Sequence, residues 1–299
     1  MRTEIAESPA SPRALAGPRA IPNFLVIGAM KAGTTSLFHY LNAHPEVYMS
    51  PLKELDFFVE DGNWRRGTRW YAKQFKAAGD SLAVGEASTA YSKYPTVTGV
   101  PERIARLLPN VRLIYLLRDP IDRTVSHYRH RVAIGAERQS FEDAIHNDPV
   151  YIRFSRYAMQ LDQYLVHFDP DQILIITSEE LRTARAQTMR QVYSFLEVDA
   201  GWTSSILERE FYESSGRAAY PPAVWWMRRR MKRLIPASKR MKEFFDATLP
   251  HHIKPLSRPG GTEFHLDASQ RVQLADVFRD DVERLRKHMP AGWDGWGIA

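Results

Sequence analysis

Short apolar runs without polar alternation punctuate the chain. Residues 24–29 read FLVIGA, 83–87 AVGEA, 112–117 RLIYLL and 172–177 QILIIT. Unbroken runs of this length are typical of parallel strands covered on both faces. Between them, apolar positions recur at helical spacing. Residues 34–43 set Leu37, Tyr40 and Leu41 on one face and stop at His44-Pro45, because a residue before proline disfavours the helical region. Residues 101–108 predict a helix opened by Pro101, another follows from Asp119-Pro120 to about Val132, and a long one runs from about Ser178 to Leu196. Residues 267–288 predict the last helix, with Val272, Leu274, Ala275, Phe278, Val282 and Leu285 at its apolar positions. Strands separated by helical segments predict βαβ units, hence an α/β fold with a central parallel sheet flanked by helices on both faces.

Two segments break the rhythm. Residues 1–22 contain four prolines and no apolar core of the ~7–15 residues a secretory signal needs. They read as a disordered leader, with order beginning at Asn23 and a single domain spanning 23–299. Residues 220–256 carry paired prolines, paired tryptophans and a dense run of bases, which marks an insertion in that domain.

Composition narrows the function classes. The chain has 299 residues, 44% of them hydrophobic, so it can bury a sizeable core. It has no cysteine, which excludes disulfide scaffolds, thiolate metal sites and a cysteine nucleophile. No apolar run reaches the ~18 residues of a membrane span. The net charge of +6 invites a nucleic-acid or membrane reading, but eight bases and no acid fall between Arg228 and Lys242, and without them the charge is −2. The basicity is therefore local and gives no general reason to expect nucleic acid as a partner. Flanked by Trp225-Trp226, the segment 225–242 reads either as an amphipathic helix meeting an anionic membrane surface or acceptor, or as a solvated helix with its tryptophans packed inward.

The first apolar run leads into Gly28-Ala29-Met30-Lys31-Ala32-Gly33-Thr34-Thr35-Ser36 and then a helix. A strand, a glycine turn and a helix N-terminus make an anion cradle, since unpaired N–H groups and the helix dipole converge there. The spacing approaches the nucleoside-triphosphate loop, G-x-x-x-x-G-K-[ST], but Thr34 stands where its lysine belongs and the lysine is Lys31. A second motif begins at Arg118 and reaches Ser126 on the following helix. An arginine offers a planar fork for phosphate, and the serine adds a directional donor. Asp119 and Pro120 between them suit a helix cap and a first helical position.

K-A-G-T-T-S after a strand, with R-D-P-x-x-x-x-x-S about 85 residues later, resembles the sulfotransferases that use 3′-phosphoadenosine 5′-phosphosulfate (PAPS), in particular bacterial members related to the heparan-sulfate-type domain. The resemblance covers residues 23–196 well and the last helix loosely. It implies a P-loop-like sheet and PAPS as co-substrate, with no metal. It implies that Lys31, Ala32, Gly33, Thr34, Thr35 and Ser36 hold the 5′-phosphosulfate, and Arg118 and Ser126 the 3′-phosphate. Glu54 in E-L-D-F-F matches the family's base, which takes the acceptor's proton, and Lys31 its leaving-group stabiliser. Packed against Phe57 and Phe58, a carboxylate would have its pKa raised by desolvation. His44 is the alternative base, by likeness to the cytosolic branch. Glu86 and Tyr91 match an E-K-[ST]-x-x-Y segment in which Ala87 replaces the lysine; they either line the cleft or are buried in the fold. Arg258, Gly260 and Gly261 occupy the place of a basic loop that closes over the nucleotide, where any linker would also carry glycine.

The reading is a sulfotransferase acting on a hydroxyl or amine of a glycan, lipid or small natural product. The lack of cysteine, signal and anchor points to a soluble, cytoplasmic, bacterial enzyme. An ATP-dependent kinase, opposed by Thr34, and a non-catalytic basic binding module are the alternatives.

Overall fold

The computed structural model describes residues 21–211 and 264–299. Five strands lie side by side in the order β2-β3-β1-β4-β5, every neighbouring pair parallel. They are β1 (Phe24–Gly28), β2 (Val47–Met49), β3 (Ala83–Ala87), β4 (Arg112–Leu117) and β5 (Ile173–Thr177). Every residue of β1 and β3 is buried, as is β4 after Arg112, whereas β5 opens with three half-buried residues. That gradient follows from position: central strands are covered on both faces and edge strands less completely.

Helices α1 (Thr34–Ala43), α2 (Gly67–Lys73), α3 (Val100–Leu107) and α4 (Pro120–Ala133) connect the strands in turn. Next come α5 (Phe141–Asn147), α6 (Val150–Arg153) and α7 (Tyr157–Leu165), then α8 (Ser178–Thr183), α9 (Arg185–Phe195) and α10 (Ala268–Arg286). Helix α10 packs Leu274, Phe278 and Val282 against Ile121 and Val125 of α4. It also feeds Asp281 to the N-terminus of α7, where the carboxylate accepts from the amides of Ala158 (2.9 Å) and Met159 (3.0 Å).

Two expectations need correction. The apolar runs missed β2, because three residues at a sheet edge leave too short a pattern to read. The strand ahead of Arg118 is consequently the fourth in the chain rather than the third, although it is still the direct neighbour of β1. The long helix expected over 178–196 is two, since Ala184 leaves the helical region (φ −126°, ψ 38°). The break ends α8 beside the strand tips while α9 drives Met189, Val192 and Tyr193 into the core. Residues 1–20 of the leader, the 220–256 insertion with its basic run, and Arg258, Gly260 and Gly261 lie outside the described residues, whereas Ile21 of the leader packs against the core.

Candidate active site

In this topology the chain runs from β1 to β2 and β3 on one side, and the connection after β3 then crosses β1 to reach β4 on the other. The crevice at the strands' C-terminal ends beside β1 is where ligands bind in such sheets. A cavity of about 540 Å³ opens there. Each strand delivers residues to it: the loop after β1 gives Lys31 and Gly33, that after β2 Lys53 and Glu54, and that after β3 Thr89 and Lys93. Arg118 follows β4, and Ser178 follows β5.

The loop after β1 is shaped by its backbone. Gly28 has φ +154°, and a Cβ built on it would stand 1.9 Å from the Ser92 hydroxyl, so no other residue fits. Lys31 (φ 73°) and Gly33 (φ 96°) both take the left-handed region. A lysine there is uncommon and a strain that surrounding structure must hold. Gly33 is the N-cap of α1 and has no side chain with which to cap it. The first-turn amides of α1 therefore face the cavity without a helical acceptor, with Thr34, Thr35 and Ser36 on its wall. Ala32 differs from the expectation: it is fully buried and packs in the core rather than on the cavity.

The second motif meets the first here. Arg118 Nη1 donates to the carbonyl of Lys31 at 3.4 Å, and Ser126 faces the same cavity from α4. Asp119 caps α4 by accepting from the amides of Ile121 (2.8 Å) and Asp122 (3.1 Å), and Pro120 holds the first helical position as the cap reading expects. One turn beyond Ser126, His130 also lines the wall.

On the β2–β3 side, the amide of Glu54 donates to the carbonyl of Ala87 at 2.8 Å. Its carboxylate accepts from Lys53 Nζ at 2.9 Å and from the Thr89 hydroxyl at 3.3 Å. Glu54, too, has a left-handed backbone (φ 62°). The aromatic pair does not desolvate it as expected: Phe57 and Phe58 are fully buried with Tyr71 and Tyr91, while the Glu54 side chain is 47% exposed. Burial does push the carboxyl up, but Lys53, Lys93 and Thr89 together outweigh it, and its pKa falls below the ordinary 4.5. Asp56, two residues on, is the carboxyl that rises, to about 6, through burial and the Glu54 charge. Burial lowers the pKa of Lys93, with Glu54 and Asp56 opposing.

Glu86 and Tyr91 are in the fold rather than the cleft. Glu86 is fully buried and accepts from Tyr71 (2.8 Å), Tyr91 (2.7 Å) and Ser88 (2.7 Å). The Tyr91 hydroxyl in turn accepts from the amide of Phe57 at 3.0 Å, and the Ser88 hydroxyl from that of Asp56 at 3.0 Å. This network anchors the Glu54 loop from beneath. His44 is buried too: its Nε2 lies 3.0 Å from the Asp199 carbonyl and its ring packs on Tyr193 and Trp202. Its two nitrogens are occupied by backbone, the second accepting from the amide of Glu46 at 3.1 Å, and it is not on the cavity wall. Lys53, Thr89, Lys93, Ser178, Arg182 and Arg185 line the cavity without having been singled out. Position just after a strand was the available signal for Thr89 and Ser178; Lys53 follows the edge strand that left no readable pattern, and nothing marked Arg182 or Arg185.

A parallel sheet with an uncapped helix N-terminus and an arginine at neighbouring strand tips defines a P-loop-like α/β protein. Within that class, a model of the sulfotransferase domain matches residues 22–215, and the chain belongs to this family. It is 32% identical over 213 residues to human bifunctional heparan sulfate N-deacetylase/N-sulfotransferase 3, covering 60% of this chain and 22% of that protein. It is 29% identical to mouse heparan sulfate glucosamine 3-O-sulfotransferase 5 over 59% of this chain and 53% of that protein. The chain thus spans about a fifth of the first relative's length and about half of the second's. A crystal structure of a sulfotransferase from Alicyclobacillus acidocaldarius superposes with a TM-score of 0.65 at 25% identity, over 92% of this chain and 98% of that one. Among the described residues, no helix is long and apolar enough to cross a membrane.

Proposed function

We propose that the protein transfers a sulfuryl group from PAPS to a hydroxyl or amine of a glycan or small-molecule acceptor, with Glu54 as the base. One observation carries this: the cradle at β1 lies between the Arg118–Ser126 fork at β4 and the Glu54 carboxylate at β2–β3, in a single cavity. Donor and acceptor thereby have opposite sides of the cradle, as an in-line displacement requires. The uncapped α1 N-terminus, the hydroxyls of Thr34, Thr35 and Ser36 and the Lys31 ammonium fit a 5′-phosphosulfate; Arg118 and Ser126 fit a 3′-phosphate.

In the reaction the acceptor's oxygen or nitrogen forms a bond to sulfur as the bond from sulfur to the 5′-phosphate oxygen breaks. Glu54 takes the proton the acceptor loses, and a carboxyl held ionised by Lys53 and Lys93 is ready to do so at neutral pH. Lys31 and the amides of α1 offset the charge that develops on the departing phosphate. The names of the relatives include both N- and 3-O-sulfotransferases, and a carboxylate base suits either acceptor atom. No metal has a part in this scheme.

Thermal stabilisation by 3′,5′-adenosine bisphosphate (PAP) without Mg²⁺, followed by an acceptor screen with labelled PAPS read by mass spectrometry, tests the proposal. Stabilisation by PAP and label transfer are expected. A response to Mg-ATP alone would overturn it in favour of a kinase.

A further inference from the structure

Resting on the reading of Arg118 and Ser126 as a 3′-phosphate site, we infer that Arg271 of α10 is a positioning residue that frees Arg118 for that phosphate. The site has a difficulty built into its own motif. A dianion must settle beside Arg118 while Asp119 stands at the N-cap and Asp122 on the first turn of the adjoining helix. Asp122 Oδ2 lies 3.9 Å from Arg118 Nη2, close enough to compete for the same guanidinium. Glu179 adds a third carboxylate, accepting from the amide of Asp119 at 3.2 Å.

Arg271 answers two of these three. Its Nη1 donates to Asp122 Oδ1 at 3.0 Å and its Nη2 to Asp119 Oδ2 at 2.6 Å. One planar guanidinium thus spans both acids, a geometry that lysine cannot reproduce. It engages Asp122 through Oδ1, leaving only Oδ2 toward Arg118 at 3.9 Å, and it cancels charge that would repel a phosphate. The Asp119 side chain is only 10% exposed, and burial with the Asp122 charge pushes its carboxyl up, so a counter-charge matters more there than at an open surface. The placement of Arg271 is itself secured, since α10 buries Leu274, Phe278 and Val282 against α4. A residue some 150 positions from the motif therefore sets how much of Arg118 the ligand can use.

The test compares PAP with adenosine 5′-monophosphate, which lacks the 3′-phosphate, by calorimetry on the full chain. Arg271→Ala should weaken PAP binding about three- to fivefold, the upper part of the range expected of a partly exposed charge pair, and leave the monophosphate within about twofold. Adding Asp122→Asn to Arg271→Ala should restore the preference for PAP, which a purely architectural role for α10 would not allow. Equal loss for both ligands, or no recovery in the double variant, overturns the inference. A wild-type protein that binds both nucleotides equally would instead overturn the 3′-phosphate reading, and the inference with it.

Discussion

The hydroxyl of Tyr91 donates to Oε1 of Glu86 at 2.7 Å, and both side chains are shut away from solvent directly beneath the loop that carries Glu54. The same hydroxyl accepts from the amide of Phe57, so a buried acid and a tyrosine fix the position of an exposed acid four residues away from the aromatic pair's far end. The carboxyl at the bottom of this stack is the one whose proton affinity is raised, to about 7.

Stability should consequently depend on pH through Glu86. Burial raises its carboxyl from the ordinary 4.5 to about 7, against the pull of Tyr91, Ser88 and Tyr71. The folded chain then keeps a proton that the unfolded chain has lost, so stability is fully present below pH 4.5 and declines as pH rises through about 7. The span corresponds to about 3 kcal/mol. Asp56, raised to about 6, works in the same direction. Urea unfolding at pH 5 and pH 8 should show the decline in wild type and a much flatter response in Glu86→Gln; an unchanged slope in the variant would remove Glu86 as its source.

Glu86→Ala should be far more costly than Glu86→Gln. It strands the hydroxyls of Tyr71 and Tyr91, both buried, at about 1–3 kcal/mol each. Denaturant midpoints of the two variants measured at pH 6 provide the comparison.

Glu54→Gln should abolish most turnover while sparing nucleotide affinity. Loss of a general base costs about 10²- to 10⁴-fold, whereas the Kd for PAP should stay within about twofold, because in the proposed reaction Glu54 meets the acceptor, across the cradle from Arg118 and Ser126. Since Lys53 and Lys93 hold its carboxyl below 4.5, the wild-type rate should not fall until the pH drops past that value. An acidic limb with its midpoint near neutrality would assign the proton to another group.

Gly28→Ala should destabilise the fold by about 3 kcal/mol or more, as overpacking in a rigid core does. The new methyl would meet the Ser92 oxygen at 1.9 Å, with the Ser92 Cβ behind it at 3.1 Å. Ser92→Ala in the same chain should recover part of the loss, measured by thermal unfolding.

Much of the architecture is legible in the order of residues. The strands at 83–87 and 112–117 and the helix at 34–43 have the expected limits, because continuous apolar runs and a proline stop are local signals. The Asp119–Pro120 cap was equally local. What escaped was governed by neighbours. The edge strand β2 is too short to show a period, and the kink at Ala184 answers to packing on both sides of it. The pKa of Glu54 went opposite to expectation, since the phenylalanines that follow it turn into the core and leave two lysines as its company.

The candidate chemistry divides the same way. From the order of residues alone came the cradle of Lys31, Gly33, Thr34, Thr35 and Ser36, the Arg118–Ser126 fork and the Glu54 carboxylate, because each is a short motif tied to one strand end. Only the tertiary structure decided that the three share a cavity, that Glu86 and His44 do not reach it, that Lys93 lines it, and that Arg271 pairs with Asp119 and Asp122 beside Arg118. Electrostatic fields act through space and not along the chain, so the partners that tune a site can be any distance from it in sequence.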